Sequence, residues 1–249
     1  KKPTIKQRLR HLPYLLKIGA ASLLIIAMAR PQSSTNWEES ITEGIDIVLT
    51  MDISGSMLAQ DLKPDRLEAS KNVAMDFISK RINDRVGLVI FAGESFTQCP
   101  LTTDHNVLIN LFKDVKSGMV DDGTAIGMGL ATAVNRLKDS EAVSKVIILL
   151  TDGVNNSGML PPLTAAEIAE KFGIRVYTIG VGTEGFAPYP FQTPFGIQYQ
   201  DVEVKIDEKT LQDIATLTDG KYFRATNNNS LKEIYKDIDV LEKSKIEVT

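Results

Sequence analysis

The run Ile45-Asp46-Ile47-Val48-Leu49-Thr50-Met51-Asp52-Ile53-Ser54-Gly55-Ser56 constrains the fold of this chain more than any other stretch. Ile45, Ile47, Val48 and Leu49 are apolar and mostly β-branched, which is the composition of a strand covered on both faces. That strand stops abruptly in one carboxylate and two hydroxyls, Asp52, Ser54 and Ser56. In an open α/β sheet the C-terminal ends of the strands form the edge where ligands bind. Oxygen donors of this kind suit a hard cation, Mg2+ first, with Mn2+ or Ca2+ as alternatives.

Beyond residue 42 the chain alternates strand and helix patterns, predicting a doubly wound α/β fold with a mostly parallel, Rossmann-like sheet. Val146–Leu150 reads as a second fully apolar strand, and it too ends in a carboxylate, in Thr151-Asp152-Gly153. Two central strands therefore deliver one Asp each to the same edge. Asp121-Asp122-Gly123 sets Thr124 at the junction into a helix over Ala125–Leu137. Pro64 is placed in the first turn of a helix running to Ile82. Phe96–Leu101 reads as an edge strand, because Pro100 cannot donate to a ladder. Asp104 is read as a helix cap, and Thr164-x-x-Glu167 and Ser230-x-x-Glu233 as capping boxes. Residues 183–204 interrupt the alternation with Pro188, Pro190 and Pro194 among Phe186, Tyr189, Phe191, Phe195, Ile197 and Tyr199. They read as an inserted hairpin or loop that leaves its strand at the edge shared with Asp52 and Asp152.

Charge is distributed unevenly. The formal net charge is -4, yet residues 1–30 carry seven basic residues and no acid, leaving 21 basic against 32 acidic residues in the remainder. An acidic body argues against nucleic acid as a partner. The single cysteine, Cys99, cannot form an intrachain disulfide, and two histidines with one cysteine do not make a usual zinc site. Residues 12–30 read as a transmembrane anchor, with Ile18–Ala29 free of charge, between a basic flank at 1–11 and a polar linker at 31–41. A cleaved signal peptide and a soluble helix are the alternatives. The positive-inside rule puts the flank in the cytoplasm and everything after Arg30 outside the bacterial inner membrane, in the periplasm. A chain that begins at Lys1 without methionine is read as a fragment.

Asp52-Ile53-Ser54-Gly55-Ser56, Gly123-Thr124 and Thr151-Asp152-Gly153 together resemble the metal-ion-dependent adhesion site of von Willebrand factor A domains, over residues 42–245. Phe91-Ala92-Gly93-Glu94-Ser95-Phe96-Thr97-Gln98-Cys99-Pro100-Leu101-Thr102 and Gly123-Thr124-Ala125-Ile126-Gly127 narrow this to a resemblance to the membrane-anchored Bat proteins of the Bacteroides aerotolerance group, BatA type. The resemblance implies that Ser54, Ser56 and Thr124 give hydroxyl oxygens to the cation and that Asp52 and Asp152 give its charge, partly through water. Gly55, Met57, Glu94, Gly123, Gly153 and Asn155 would lie close to the ligand. It further implies a periplasmic domain between membrane spans, with 246–249 as the junction to a later one. The implied partners are other Bat-type membrane proteins, a MoxR-type AAA+ ATPase, and a protein ligand that donates an acidic residue to the ion. The process implied is tolerance of stress or oxygen.

A protein-binding module rather than an enzyme is the reading that follows. The alternative, a magnesium-dependent phosphoryl or ester hydrolase, needs a nucleophile or base, and the position two residues after Asp52 holds Ser54 where an aspartyl-phosphate enzyme needs a second Asp. Gly180-x-Gly182-x-x-Gly185 matches a dinucleotide fingerprint in letters, but the Phe186-Ala187-Pro188-Tyr189-Pro190 that follows cannot open the required helix. His105 reads as a surface or capping residue and Cys99 as a small buried apolar one.

Overall fold

The computed structural model describes residues 12–28, 44–194 and 196–246. The chain divides into two units at residues 41 and 42. In the first, α1 (Leu12–Met28) is a 17-residue helix. Its Leu15, Leu16, Ile18, Leu23, Leu24 and Met28 side chains are exposed. Among the described residues no helix is long and apolar enough to cross a membrane. The basic flank and the linker of the sequence reading lie outside the described residues, as do Phe195 and residues 247–249.

The second unit is built on a six-stranded sheet. Its strands are β1 (Asp46–Asp52), β2 (Arg85–Phe91), β3 (Ser95–Thr102), β4 (Lys145–Thr151), β5 (Arg175–Val181) and β8 (Tyr222–Ala225), in spatial order β3-β2-β1-β4-β5-β8. Every pair is parallel except β2 with β3, which is antiparallel and puts Pro100 on an edge strand. Six helices cover the sheet: α2 (Arg66–Ser79), α3 (His105–Asp114), α4 (Ile126–Leu137), α5 (Pro162–Lys171), α6 (Glu208–Leu217) and α7 (Asn228–Ile246).

Alternation along β1 shows how the two faces are covered. Ile47, Leu49 and Met51 pack with Leu67, Phe77, Phe112 and Tyr235 of α2, α3 and α7. Val48 points the other way, to Ile126, Leu130, Ala165 and Ile214 of α4, α5 and α6. All seven residues of β1 are buried, as a strand between two helical layers must be. A slip of one residue would exchange these faces. A charged pair at the first rung opposes it, because Asp46 sits opposite Arg85 and accepts from its Nε at 2.7 Å. The strand order reverses between β1 and β4, and a crevice opens at such a point beyond the C-terminal strand ends.

Several helix starts differ from the sequence reading. The helix after Pro64 begins at Arg66, and its cap is Asp65, which accepts from Glu68 N–H at 2.8 Å. Thr164 caps nothing, because α5 already starts at Pro162, where a proline's fixed φ and missing N–H are harmless. Ser230 lies inside α7; Asn227 accepts from its N–H at 2.9 Å and takes the capping role. Asp104 does cap α3, accepting from Val107 N–H at 3.1 Å.

Within residues 183–204, β6 (Phe186–Thr193) and β7 (Gly196–Glu203) form a separate two-stranded antiparallel sheet. This hairpin does not pair with an edge of the main sheet. It stands on the loop after β1, where Gln60 N–H donates to Pro188 O at 2.9 Å and Gln60 Nε2 to Tyr199 Oη at 3.1 Å.

Candidate metal centre

Asp52 is the last residue of β1, and Asp152 follows the end of the neighbouring β4, so both carboxylates reach the crevice at the strand-order reversal. Asp52 is fully buried and each oxygen is held. Oδ1 accepts from Ser54 N–H at 2.9 Å and Oδ2 from the Thr151 hydroxyl at 2.6 Å. Beyond Asp52 the chain turns through a short 3-10 segment, Gly55–Leu58, pinned by Met57, which is buried in the core. The turn sets Ser54 Oγ and Ser56 Oγ 3.1 Å apart, and the Ser56 hydroxyl donates to Asp152 Oδ1 at 2.7 Å. A hydroxyl that spends its proton on a carboxylate keeps its lone pairs for a cation.

Thr124 comes from the loop before α4. Asn156 Oδ1 accepts its N–H at 2.8 Å, and Asn156 N–H returns a bond to Thr124 O at 3.0 Å. Its hydroxyl lies against Gly153, where an added Cβ would meet Oγ1 at 3.2 Å. Gly123, at φ +138°, lets the loop pass Gly93 and Ser157, since a Cβ there would stand 2.5 Å from Ser157 Oγ. Ser56, Thr124, Asp152 and Gly153 line one cavity of about 410 Å³, walled on its far side by Ala187, Tyr189 and Phe191 of the hairpin.

Other residues of the sequence reading take different places. Gly55 N–H donates to Asp122 Oδ1 at 2.9 Å, which ties the serine turn to the threonine loop. Glu94 is exposed on the β2–β3 turn, and that turn meets the site through Gly93 N–H, which donates to Asp121 O at 2.8 Å. Asn156 holds Thr124, and the Oδ1 of its neighbour Asn155 is buried without a partner. Pattern alone could not separate the two, since either amide reaches back from an irregular loop. His105 bonds Asp84 O through Nε2 at 2.9 Å, and Cys99 is buried. Gly185 is followed by β6 rather than a helix, so nothing there offers a helix N-terminus to a pyrophosphate.

Sequence reasoning missed Arg66 and Asp61. Arg66 Nη1 donates to Asp152 Oδ2 at 2.6 Å, while its Nε and Nη2 fork onto Asp61 at 2.7 and 2.6 Å. With all three carboxyls ionised, Asp52, Asp61 and Asp152 set against Arg66 give the buried cluster a formal charge of -2. That excess, beside hydroxyl lone pairs, fits one divalent cation. Among the described residues no three His, Cys, Asp or Glu side chains gather as metal ligands. Such an ion would be held by Ser54, Ser56 and Thr124, with Asp52 and Asp152 behind them, and would act as a Lewis acid toward an anionic oxygen.

Without a cation the carboxylates are strained electrostatically. Burial, and then the neighbouring Asp152, push the Asp52 carboxyl up to about 7. Burial also raises Asp152, and Arg66 offsets only part of that. Burial pushes Asp61 up as well, but the Arg66 and Thr183 hydrogen bonds outweigh it and hold Asp61 below the usual range. An acid raised in the folded state contributes stability while protonated and loses it as pH rises from about 4 through about 7. Asp61 works in the opposite direction and only below that window. The metal-free protein should therefore melt at falling temperature between pH 4 and 7, an effect of up to a few kcal/mol. Asp52→Asn should flatten the slope, and an unchanged slope would show that Asp52 does not ionise in this window.

The von Willebrand factor type A domain model matches residues 46–237. Among solved structures, the chain is 33% identical to BatB from Bacteroides thetaiotaomicron, with a TM-score of 0.71, covering 80% of this chain and all of that one. An aerotolerance-related membrane protein from Bacteroides fragilis is 32% identical at a TM-score of 0.67, covering 78% of this chain and 98% of that one. The proximal thread matrix protein 1 of mussel byssus, solved with zinc in its MIDAS motif, is 25% identical at a TM-score of 0.59 over 78% of this chain and 44% of that one. An uncharacterized protein from Borreliella burgdorferi is 32% identical over 88% of this chain, which spans 64% of that relative's length. With a matched model over most of its length and a site built at the β1–β4 crevice, the chain belongs to the von Willebrand factor type A domain family.

Proposed function

We propose that the domain is a divalent-cation-dependent protein-binding module whose ion sits among Ser54, Ser56 and Thr124, with Asp52 and Asp152 supplying charge. The observation that carries this reading is three buried carboxyl groups set against one guanidinium, beside convergent hydroxyls at the strand-order reversal. Magnesium or manganese is the physiological ion, and an acidic side chain of the partner completes its coordination. Binding rather than catalysis is part of this proposal, supported by the aromatic wall that the hairpin sets beside the site. By likeness to the aerotolerance-related membrane protein of Bacteroides fragilis, the module works at the cell envelope in tolerance of stress or oxygen, with the partners that the Bat resemblance of the sequence implies, other Bat-type membrane proteins and a MoxR-type ATPase. Residues 12–30 anchor it in the inner membrane and leave the domain in the periplasm. The apolar, exposed side chains of α1 support that assignment. Protease added to spheroplasts should digest the domain and leave a membrane-bound N-terminal piece, whereas full protection would overturn the topology.

The hairpin selects the partner. Ala187, Tyr189 and Phe191 alternate along β6 onto its cavity face, and the Tyr189 and Phe191 rings meet edge to face at 5.0 Å. Phe186, Ile197 and Tyr199 are exposed around them. Aromatic residues held beside a cation give an interface both an apolar anchor and a charge anchor. Capture of envelope proteins by the immobilised chain, with magnesium and with chelator, tests the function. Replacing Phe186–Tyr199 by a short Gly-Ser linker should abolish metal-dependent capture and leave ion affinity within about twofold. Equal capture by the shortened protein would reduce the hairpin to a cover.

A further inference from the structure

Arg66 is the first residue of α2, yet its side chain is only 4% exposed. Its guanidinium lies between two carboxylates, forked onto Asp61 and joined to Asp152 Oδ2. The surroundings are shaped to hold it there. Asp61 is fixed from the far side by Thr183, whose N–H donates to Oδ2 at 2.8 Å and whose hydroxyl lies 3.2 Å from the same oxygen. Gly182, at φ +144°, leaves room for the guanidinium, since a Cβ there would lie 2.9 Å from Nη2.

We infer that Arg66 is a positioning residue that acts on the ion through Asp152, lowering the site's affinity for divalent cations and selecting magnesium or manganese over calcium. The chemistry has two parts. A guanidinium and a cation compete for the charge of one carboxylate, so Arg66 opposes the ion, and Asp61 relieves that opposition by drawing on the same guanidinium. With Arg66 on Oδ2 and the Ser56 hydroxyl on Oδ1, Asp152 also cannot turn both oxygens toward an ion. Calcium takes six to eight oxygens and uses bidentate carboxylates, whereas magnesium keeps an octahedron with one or two carboxylates and several waters. A pinned carboxylate therefore favours the smaller ion.

The inference rests on the metal-site reading proposed above, and one set of titrations separates the two. Magnesium and calcium are titrated calorimetrically into the wild-type chain, Asp61→Asn and Arg66→Gln. The wild type should bind magnesium more tightly than calcium. Asp61→Asn should weaken magnesium several-fold, because Arg66 then pairs with Asp152 alone. Arg66→Gln should tighten magnesium on the order of tenfold, the effect of removing one nearby charge. Calcium should gain still more, which narrows the discrimination. A merely structural Arg66 predicts the opposite, with both variants weakening both ions in equal proportion; that result, or two unchanged affinities, overturns the inference while leaving the metal site standing. Should Arg66→Gln fail to fold by circular dichroism, Asp61→Asn decides, and magnesium binding equal to or tighter than wild type overturns it. A wild type that binds neither ion overturns the metal-site reading and this inference together.

Discussion

Asp52→Ala is expected to abolish divalent-cation binding, with affinity falling by at least about a hundredfold, since loss of even an outer-shell partner can cost that much. The fold should survive. Asp52 closes a strand whose other residues keep their ladder pairing, with Ile47, Val48, Leu49 and Met51 packed in the core. Two opposing effects leave the metal-free stability little changed. Removing a buried carboxylate relieves its repulsion with Asp152, while Ser54 N–H and the Thr151 hydroxyl lose their acceptor at about 1–3 kcal/mol each. The diagnostic readout is the response to magnesium, because a ligand that binds only the native state raises its melting temperature. Wild type should gain melting temperature on adding magnesium and lose it with chelator, and the variant should do neither. A variant that still responds would place the ion elsewhere.

The second large effect lies at the opposite edge of the sheet. Glu242, near the end of α7, is 2% exposed and gathers four donor contacts from three residues around the starts of β4 and β5. Ser144 Oγ donates at 2.7 Å, Tyr177 Oη at 2.5 Å, and Arg175 Nη1 at 2.6 Å to each oxygen. Burial, and then the bond to Glu242, raise the Tyr177 phenol well above its ordinary value, so it remains a donor at any physiological pH. Glu242→Ala strands all three. Breaking a buried ion pair costs about 3–5 kcal/mol. Arg175 is one-fifth exposed and has Asp219 at 3.7 Å, which places the expected loss near the lower end, about 3 kcal/mol. Glu242→Gln keeps an acceptor for Tyr177 and should lose roughly half as much. Urea denaturation measures both. A loss below about 1 kcal/mol for Glu242→Ala would mean that water replaces the carboxylate, and that α7 is held by its apolar face alone.

The sheet and the convergence of Asp52 with Asp152 were legible because they follow from strong local signals. Two apolar, β-branched runs each ending in Asp can place their carboxylates together only in adjacent parallel strands. The bounds of β5 were legible too, since Arg175 and Gly182 bracket a run rich in β-branched and aromatic residues, Val176, Tyr177, Thr178, Ile179 and Val181. Helix starts were less so. Thr164 and Ser230 have the letters of a capping box, but prolines at 161 and 162 and Asn227 satisfy or remove the orphan donors a turn earlier. The least legible part was the charge balance around the ion. Nothing in the spacing of Asp61, Arg66 and Asp152 announces a buried triad, because it is assembled from the loop after β1, the first turn of α2 and the end of β4. Asn156 escaped for the same reason: its role depends on how two loops meet rather than on the pattern within either one.

Crystals of the chain grown or soaked with manganese show directly where the ion sits. Anomalous scattering locates that ion without reference to any model of the site. One strong anomalous peak is expected in the crevice between the ends of β1 and β4, within coordination distance of Ser54 Oγ, Ser56 Oγ and the Thr124 hydroxyl, and absent from Asp52→Ala crystals treated identically. A peak elsewhere on the surface, or an empty crevice at manganese concentrations that saturate the calorimetric response, would contradict it.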